Sequence, residues 1–408
     1  HSRYKISQIR IVTIVSTIIL ARILGPEVFG QSALIISYIL LFDVFFSLSF
    51  DSAIIQANKQ QNEDYDAAWT FSKLFKGLFV FILLQLLIFV ADYYNINPLP
   101  TNILQISTFY VLIHAFFNIA FVREIQNLNF IKDVIQTTIP GVVRPIVAII
   151  LAIYLNDVRA IIYAWLIQAF LVVLLSYTLT KYRVSVSFNI LILKQYLRFA
   201  IDAYFVNVTQ RLRELIDTVL IINILGFASG GFYQVGKRIT GETVGDIKGI
   251  IEKVMFPTYS SLDRNINKVL SLHKRMLLFS HLISVILILF LMLKIELIIH
   301  VLLGEEWLEA TLICQLILCA SYFTNISGSF IPLYRSLNLQ RTEIRSRILE
   351  ISIILVGCFT IGGSYGFSGI GSIIIFATFC GMLNLLLSFR SIMHESLFTQ
   401  ISALIPGY

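Results

Sequence analysis

The chain has 408 residues, 57% of them hydrophobic and 13% charged, with a formal net charge of +7. A mean hydropathy of +0.82 excludes a soluble globular domain, whose surface needs far more charge. It predicts an all-α integral membrane protein, because a helix satisfies its backbone internally and spans a bilayer with roughly 20 apolar residues.

Twelve apolar stretches of suitable length follow in order: 6–24, 31–55, 70–91, 102–122, 133–155, 159–180, 199–225, 231–253, 276–303, 308–333, 345–365 and 369–390. The first reads as a span and not as a secretory leader, because Ala21-Arg22-Ile23-Leu24-Gly25-Pro26-Glu27 stands where a small-residue cleavage site would be. The connectors are short, so no soluble domain is expected among the spans. The predicted organisation is a six-helix lobe over 1–180, a basic amphipathic connector over 181–198, a second six-helix lobe over 199–393, and a tail over 394–408 that reads as the truncated start of a further span. Cys314, Cys319, Cys358 and Cys380 all fall within spans and lack metal-ligand spacing, so they are expected to act as small hydrophobes. No His cluster accompanies them, and neither a metal nor a cofactor is expected.

Lys and Arg distribute unevenly between the two sets of connectors. One set carries Arg123, Lys132, Lys181, Arg183, Lys194, Arg198, Lys274, Arg275, Arg335 and Arg341. The other holds little beyond Arg22, Arg159 and Lys294, and residues 92–101 have no Lys or Arg. The positive-inside rule then places both ends of the chain in the cytoplasm. It accounts for the positive net charge without a nucleic-acid partner.

The chain also repeats itself. Ile23-Leu24-Gly25, with Gly30 following, recurs as Ile224-Leu225-Gly226, with Gly231 following. Arg123 ahead of Leu128-Asn129 recurs as Arg335 ahead of Leu337-Asn338, 212 residues on. Because six is even, spans 1–6 and 7–12 start on the same side. The expectation is two parallel lobes around a central cavity, which rock against each other in alternating access.

Charges inside the spans carry the functional signal. Each ionisable group in a bilayer costs roughly 2.5–3.5 kcal/mol on insertion scales, so such groups normally face water or a partner. Span 7 contains Arg211, Arg213, Glu214 and Asp217, and span 8 contains Lys237, Arg238, Glu242, Asp246 and Lys248. Arg213 and Asp217 share a helix face, as do Arg238, Glu242 and Asp246, by their spacing of four. They form either a salt-bridge ladder between two helices or the wall of a hydrated cavity. Arg144 sits mid-span between Pro140 and Pro145. It is expected to bind an anion, to snorkel, or to pair with Asp43 or Asp51. Asp202 and Asp217 are further candidates for a coupling proton or cation, although no relay of Asp, Glu and His accompanies them. Gly304 to Ala310 reads as an outer turn with Trp307 as an interfacial anchor. A polar path through an apolar protein points to a transporter.

Several short motifs resemble those of one family. Ala21-Arg22-Ile23-Leu24-Gly25-Pro26-Glu27-Val28-Phe29-Gly30 resembles the first-hairpin signature of the polysaccharide transporter family, the Wzx-like lipid-linked oligosaccharide flippases of the MOP exporter superfamily. Asp217 with the segment ending at Gly226 resembles that family's seventh span. Phe256-Pro257 with Ser260, and Gly304-Glu305-Glu306-Trp307-Leu308-Glu309-Ala310, resemble its later motifs. The resemblance runs over nearly the whole chain, which departs from it by starting inside the first span region and stopping where some members begin a thirteenth span.

The resemblance implies a flippase of the bacterial cytoplasmic membrane. It would move a polyprenyl-pyrophosphate-linked oligosaccharide to the outer leaflet for O-antigen, capsule or exopolysaccharide assembly. Membrane lipid, a polysaccharide polymerase and chain-length machinery would be its partners. Arg211, Arg213, Lys237, Arg238, Arg144 and Lys248 would then meet the anionic head group, with Asp217, Glu214, Glu242 and Asp246 as balancing or coupling acids. Two other classes stay open: a multidrug or cation antiporter of the same superfamily, and a membrane-embedded polysaccharide polymerase. The second needs a large extramembrane loop, and nothing in the chain resembles a phosphate-binding loop, zinc motif or catalytic triad.

Overall fold

The computed structural model describes residues 2–393 except 48–49, 51–53, 55–60, 96–98, 128, 262–265, 338 and 363. Within its helices, the side chains of residues 2–11, 125–126, 130, 198–199, 202, 242, 245–246, 250, 253, 260, 266–267 and 391–393 lie outside the described set. Among the described residues every regular element is helical.

Each of the twelve predicted stretches contains helix among its described residues, the second continuous as far as Phe45 and the fourth as far as Ala115. Helix α1 (Ser2–Phe45) holds the first two, folded about Gly25 (φ 70, ψ 173) and Pro26. Proline has no N–H to continue the helix, and only glycine tolerates that φ/ψ. The third stretch falls on a π-turn (Thr70–Phe75) and α3 (Lys76–Tyr93), which continue the preceding α2 (Asn62–Trp69), and the fourth begins as α4 (Thr101–Ala115). After the short α5 (Val122–Gln126) come α6 (Phe130–Leu155) and α7 (Arg159–Thr178). Then follow α8 (Ile190–Leu225), α9 (Phe227–Thr240), a second π-turn and α10 (Asp246–Ser260). Last come α11 (Ile266–Leu302), α12 (Ala310–Ser336), α13 (Gln340–Gly357) and α14 (Gly366–Met393).

Seven helical stretches are long and apolar enough to cross a membrane, with α1 counted once. The expected spans outside those seven are α4, which is short, and α8, α9–α10 and α13, whose windows are diluted by charge. Apolar side chains cover the outer faces of the most hydrophobic helices: Ile82, Leu86 and Phe89 on α3, and Ile286, Phe290 and Leu293 on α11 are all exposed. Such faces suit contact with lipid.

The chain divides into two compact units, residues 1–211 and 212–408. In the first, α1, α6 and α7 pack through small residues: Ala148, Ala152, Ala160 and Ala164 meet Leu20 and Leu24. Small side chains let helices approach closely where burial of oil by water is no driving force. In the second, the core runs through α10, α11, α12 and α14 around Ile251, Met255, Leu318, Phe330, Tyr334 and Phe389. Cys314 and Cys358 are buried in packed helices and all four cysteines are unpaired.

The connector after α7 is pinned to α2 by one carboxylate. Residues 182–189 are non-helical before α8 starts at Ile190. The Tyr182 hydroxyl donates to Asp66 Oδ2 at 2.7 Å, and the Ser185 backbone N–H donates to Asp66 Oδ1 at 2.9 Å. The Arg123 guanidinium lies 4.3 Å from the Tyr65 ring centroid and 5.0 Å from that of Tyr182. Burial and the bond to Asp66 push the Tyr182 hydroxyl up to about 12, so it stays a donor.

The internal repeat is written into the backbone. Gly226 (φ 89, ψ 175) repeats the conformation of Gly25 at the equivalent helix–helix corner. In the second hairpin, Asn129 N–H bonds Glu124 C=O and Leu339 N–H bonds Tyr334 C=O, and the helices then begin at Phe130 and Gln340. Asn156 (φ 45) and Gly366 (φ 56) supply matching left-handed residues one hairpin later. These pairs set the register at 210 residues. The 212-residue offset suggested by Arg123 and Arg335 is therefore two residues out, and Arg123 corresponds in the backbone to Leu333. Trp307 also departs from expectation. It is 1% exposed, packed edge-on against Phe232 at 5.8 Å. The bend at Gly304 (φ 101) turns it into the protein, so it is a core residue and not an interfacial anchor.

A Cβ at Gly226 would meet nothing within 4 Å, so Gly226→Ala isolates the backbone cost of the corner, about 1–3 kcal/mol. We expect its thermal unfolding midpoint in detergent to fall. Gly249→Ala, in open space on α10, should hold or raise the midpoint, because Ala outranks Gly inside a helix.

Candidate functional site

Among the described residues of the second unit, buried charges on α8 and α13 are paired with one another. Arg213 and Asp217 lie one turn apart on α8, and Arg213 Nη1 donates to both Asp217 oxygens at 2.9 and 2.8 Å. Arg213 Nε donates to Glu350 Oε2 on α13 at 2.8 Å. The Tyr233 hydroxyl on α9 donates to Asp217 Oδ2 at 2.8 Å. Lys237 donates to the Glu214 backbone carbonyl and lies 5.5 Å from the Tyr233 ring centroid. Asp217 is 4% exposed. Across Arg213, Lys237, Asp217 and Glu350 the formal charges cancel. Glu350 is held from behind by α14, where a Cβ at Gly381 would stand 2.1 Å from its Oε1.

A second chain of ion pairs joins α10, α12 and α13. Lys248 Nζ lies 3.8 Å from Glu252, which is 3.9 Å from Arg335. Arg335 donates twice to Glu343, at 3.0 and 2.8 Å, and Arg347 donates to the same carboxylate at 2.7 Å. Burial opposes ionisation of Glu343, which begins α13 ahead of its apolar run. The Arg335 bonds and the Arg347 charge outweigh that penalty and hold its carboxyl below the usual range. The stem of Lys248 crosses Gly328, where a Cβ would sit 2.5 Å from its Cγ. Arg238 is half-buried on α9. The side chains of Glu242 and Asp246 lie outside the described residues.

The first unit places charged groups beside an aromatic stack. Arg144 Nη1 on α6 donates to Gln168 Oε1 on α7 at 3.1 Å. Asp43 on α1 is paired with Lys76 on α3, so the expected partner of Arg144 is replaced by Gln168, while Asp51 lies outside the described residues. The Tyr110 ring on α4 stacks on Trp165 of α7 with centroids 3.7 Å apart. Asp43, Arg144 and Arg211 are the charged groups within electrostatic reach of Tyr110. Arg211 is exposed. Arg144, Arg211 and the Lys76–Asp43 pair thus lie near one another in this unit. The cluster suits an anion that carries hydrogen-bonding groups.

The structure therefore separates the predicted residues. Arg144 and Arg211 converge on Tyr110, Arg213 and Lys237 join Asp217 and Tyr233, and Lys248 enters a third set. Sequence reading missed Glu350, Arg347, Tyr233, Lys76, Tyr110 and Gln168. Glu350 had a signal, as the one acid in the apolar run that follows Arg347. Tyr110 and Gln168 had none, since polar or aromatic residues inside spans are common. Among the described residues no group of three or more His, Cys, Asp and Glu could hold a metal ion.

If Arg213 is held as a structural clamp, Arg213→Ala strands two buried carboxylates and should destabilise the protein by about 3–5 kcal/mol. The triple change Arg213→Ala, Asp217→Asn, Glu350→Gln should recover part of that loss. Thermal unfolding in one detergent measures both. Equal destabilisation of the single and triple variants would show that the charges are not coupled.

A family model described as a polysaccharide biosynthesis protein matches residues 19–312. No curated protein matches the sequence. Among solved structures, the lipid II flippase MurJ in its inward closed conformation is similar with a TM-score of 0.78 and 17% identity, over 99% of this chain and 89% of that one. An inward-facing multidrug resistance MATE family transporter of the MOP superfamily gives 0.71 and 14%, over 95% of each chain. An outward-facing one gives 0.59 and 13%, over 97% of this chain and 94% of that one. At these identities the likeness is one of fold.

Proposed function

The chain belongs to the polysaccharide biosynthesis protein family, and from that premise we propose that it is a flippase. Its cargo would be a polyprenyl-pyrophosphate-linked oligosaccharide, carried from the inner to the outer leaflet of the bacterial cytoplasmic membrane for O-antigen, capsule or exopolysaccharide assembly. The observation that carries this reading is the grouping of Arg144, Arg211 and Asp43 near Tyr110, with Arg144 hydrogen-bonded to the Gln168 carboxamide and not to a carboxylate. Such a cluster is costly in a membrane, and a pyrophosphate would repay it with charge-assisted hydrogen bonds. The carboxylates of the second unit argue against a cation antiporter, because Asp217 and Glu350 are both held by Arg213.

In this reading Arg144 and Arg211 engage the diphosphate. Lys237, Arg238 and Lys248 supply weaker attraction, and Arg213 with Asp217 keeps α8 in place. Glu214, Glu242 and Asp246 balance the cations. The lobes 1–180 and 199–393 alternate in access, joined by the connector 181–198. Membrane lipid holds the tail, and a polymerase with its chain-length machinery takes the product.

Arg144→Ala and Arg211→Ala should each keep normal membrane abundance and reduce surface glycan at least tenfold in a complementation assay, with lipid-linked precursor accumulating in the inner leaflet; that figure corresponds to losing roughly one charge-assisted hydrogen bond. Wild-type glycan in both variants would overturn the site.

Orientation is tested separately by single-cysteine labelling on a background without the native cysteines. Cysteines at Ala228 and Glu305 should react from outside, and those at Gln61, Ser187 and Gln340 only from the cytoplasm. Reversal at two or more positions would invert the topology.

A further inference from the structure

Tyr110 and Trp165 form a nearly parallel stack, with rings 8° from coplanar. Trp165 is 6% exposed, so it is packed into the first unit and closes one face of Tyr110. Tyr110 is only half-buried. The His114 ring, one turn further along α4, lies 5.2 Å from the Tyr110 ring and is tilted 42° to it, so Tyr110 is bordered by two rings and part of it stays exposed. The hydroxyl end is surrounded by charge from Asp43, Arg144 and Arg211. Trp165 and Gln168 are three residues apart on α7 and share a face. The Arg144–Gln168 pair and the aromatic stack are thus brought to the same side of that helix.

A partly exposed aromatic ring beside planar hydrogen-bonding groups has a specific chemical complement. A pyranose presents a patch of C–H groups on one face, polarised positive, and hydroxyls around its rim. The C–H face suits the negative face of an aromatic ring. The rim suits a guanidinium, a carboxamide and a carboxylate, the groups that Arg144, Gln168 and Asp43 provide. A polyprenyl tail would gain nothing from these polar groups, and a flat organic cation would be repelled by Arg144 and Arg211.

We propose that Tyr110, backed by Trp165, is the stacking platform for the sugar ring next to the diphosphate, with Arg144 and Gln168 binding its hydroxyls. The inference rests on the flippase reading above and adds to it a sugar subsite distinct in chemistry from the phosphate site.

The test compares two probes on the full chain in lipid nanodiscs: polyprenyl pyrophosphate alone, and polyprenyl pyrophosphate carrying a single N-acetylhexosamine. The wild type should bind the sugar-bearing probe more tightly. Tyr110→Leu should weaken that probe about tenfold, the scale of one aromatic contact, and leave the sugar-free probe unchanged. Tyr110→Phe should retain both affinities, since the ring and not the hydroxyl does the stacking. Equal affinity of the wild type for the two probes would overturn the subsite while leaving the flippase reading intact. So would a Tyr110→Leu variant that weakens both probes alike, which marks a packing role, or neither. Failure of the wild type to bind either probe would remove the flippase reading itself, and the sugar subsite with it.

Discussion

Arg213 is the fixed point of the second unit. A guanidinium that enters a bilayer loses its hydration, and only nearby carboxylates can replace it. Here Asp217 takes two of its N–H groups from the same helix, and Glu350 takes a third from α13. Tyr233 completes the shell on Asp217 from α9. The Arg213–Asp217 pair thus ties three helices together and makes it tolerable for α8 to carry charge among apolar spans. The geometry also explains the small residue at Gly381, because Glu350 reaches Arg213 only if α14 can lie close behind it.

The two units share a backbone plan and diverge in chemistry. Glycine corners at Gly25 and Gly226, and left-handed residues at Asn156 and Gly366, recur in each. Such positions are set by main-chain sterics, which tolerate few residue types. Among the charged groups Asp133 recurs as Glu343, in the first turn of each equivalent helix, but those of the helix interiors do not. At the 210-residue register, Arg347 and Glu350 of α13 correspond to Thr137 and Pro140 of α6, whereas Arg144 corresponds to Ile354. The first unit sets Arg144 against a carboxamide beside a partly exposed aromatic stack. In the second, Arg213, Asp217 and Glu350 are paired with one another. A duplicated scaffold has kept its turns and reassigned its interior.

The connector between α7 and α8 shows the same economy of polar groups. Asp66 accepts from a tyrosine hydroxyl, a serine hydroxyl and a backbone N–H of residues 182–185, and Thr70 accepts from the Ser187 N–H. A segment without secondary structure has to place its backbone donors somewhere. Here they are satisfied by side chains of the helix that precedes the π-turn at Thr70–Phe75.

The sequence by itself determined the membrane class, the twelve helical segments and the presence of two related halves. Those features rest on local properties: apolar length, the φ/ψ demands of Gly25 and Gly226, and the removal of an N–H at Pro26. It also showed which spans carry charge, and the Arg213–Asp217 pair followed from a spacing of four. Only the tertiary structure decided what each charge meets. Glu350 lies 137 residues from Arg213, and no periodicity links them. Gln168, not an acid, receives Arg144, because Lys76 already holds Asp43. Trp307 went inward because the bend at Gly304 sets its direction, which composition cannot encode. Pairing between helices depends on which faces meet, and in a membrane almost every face is apolar enough to meet any other.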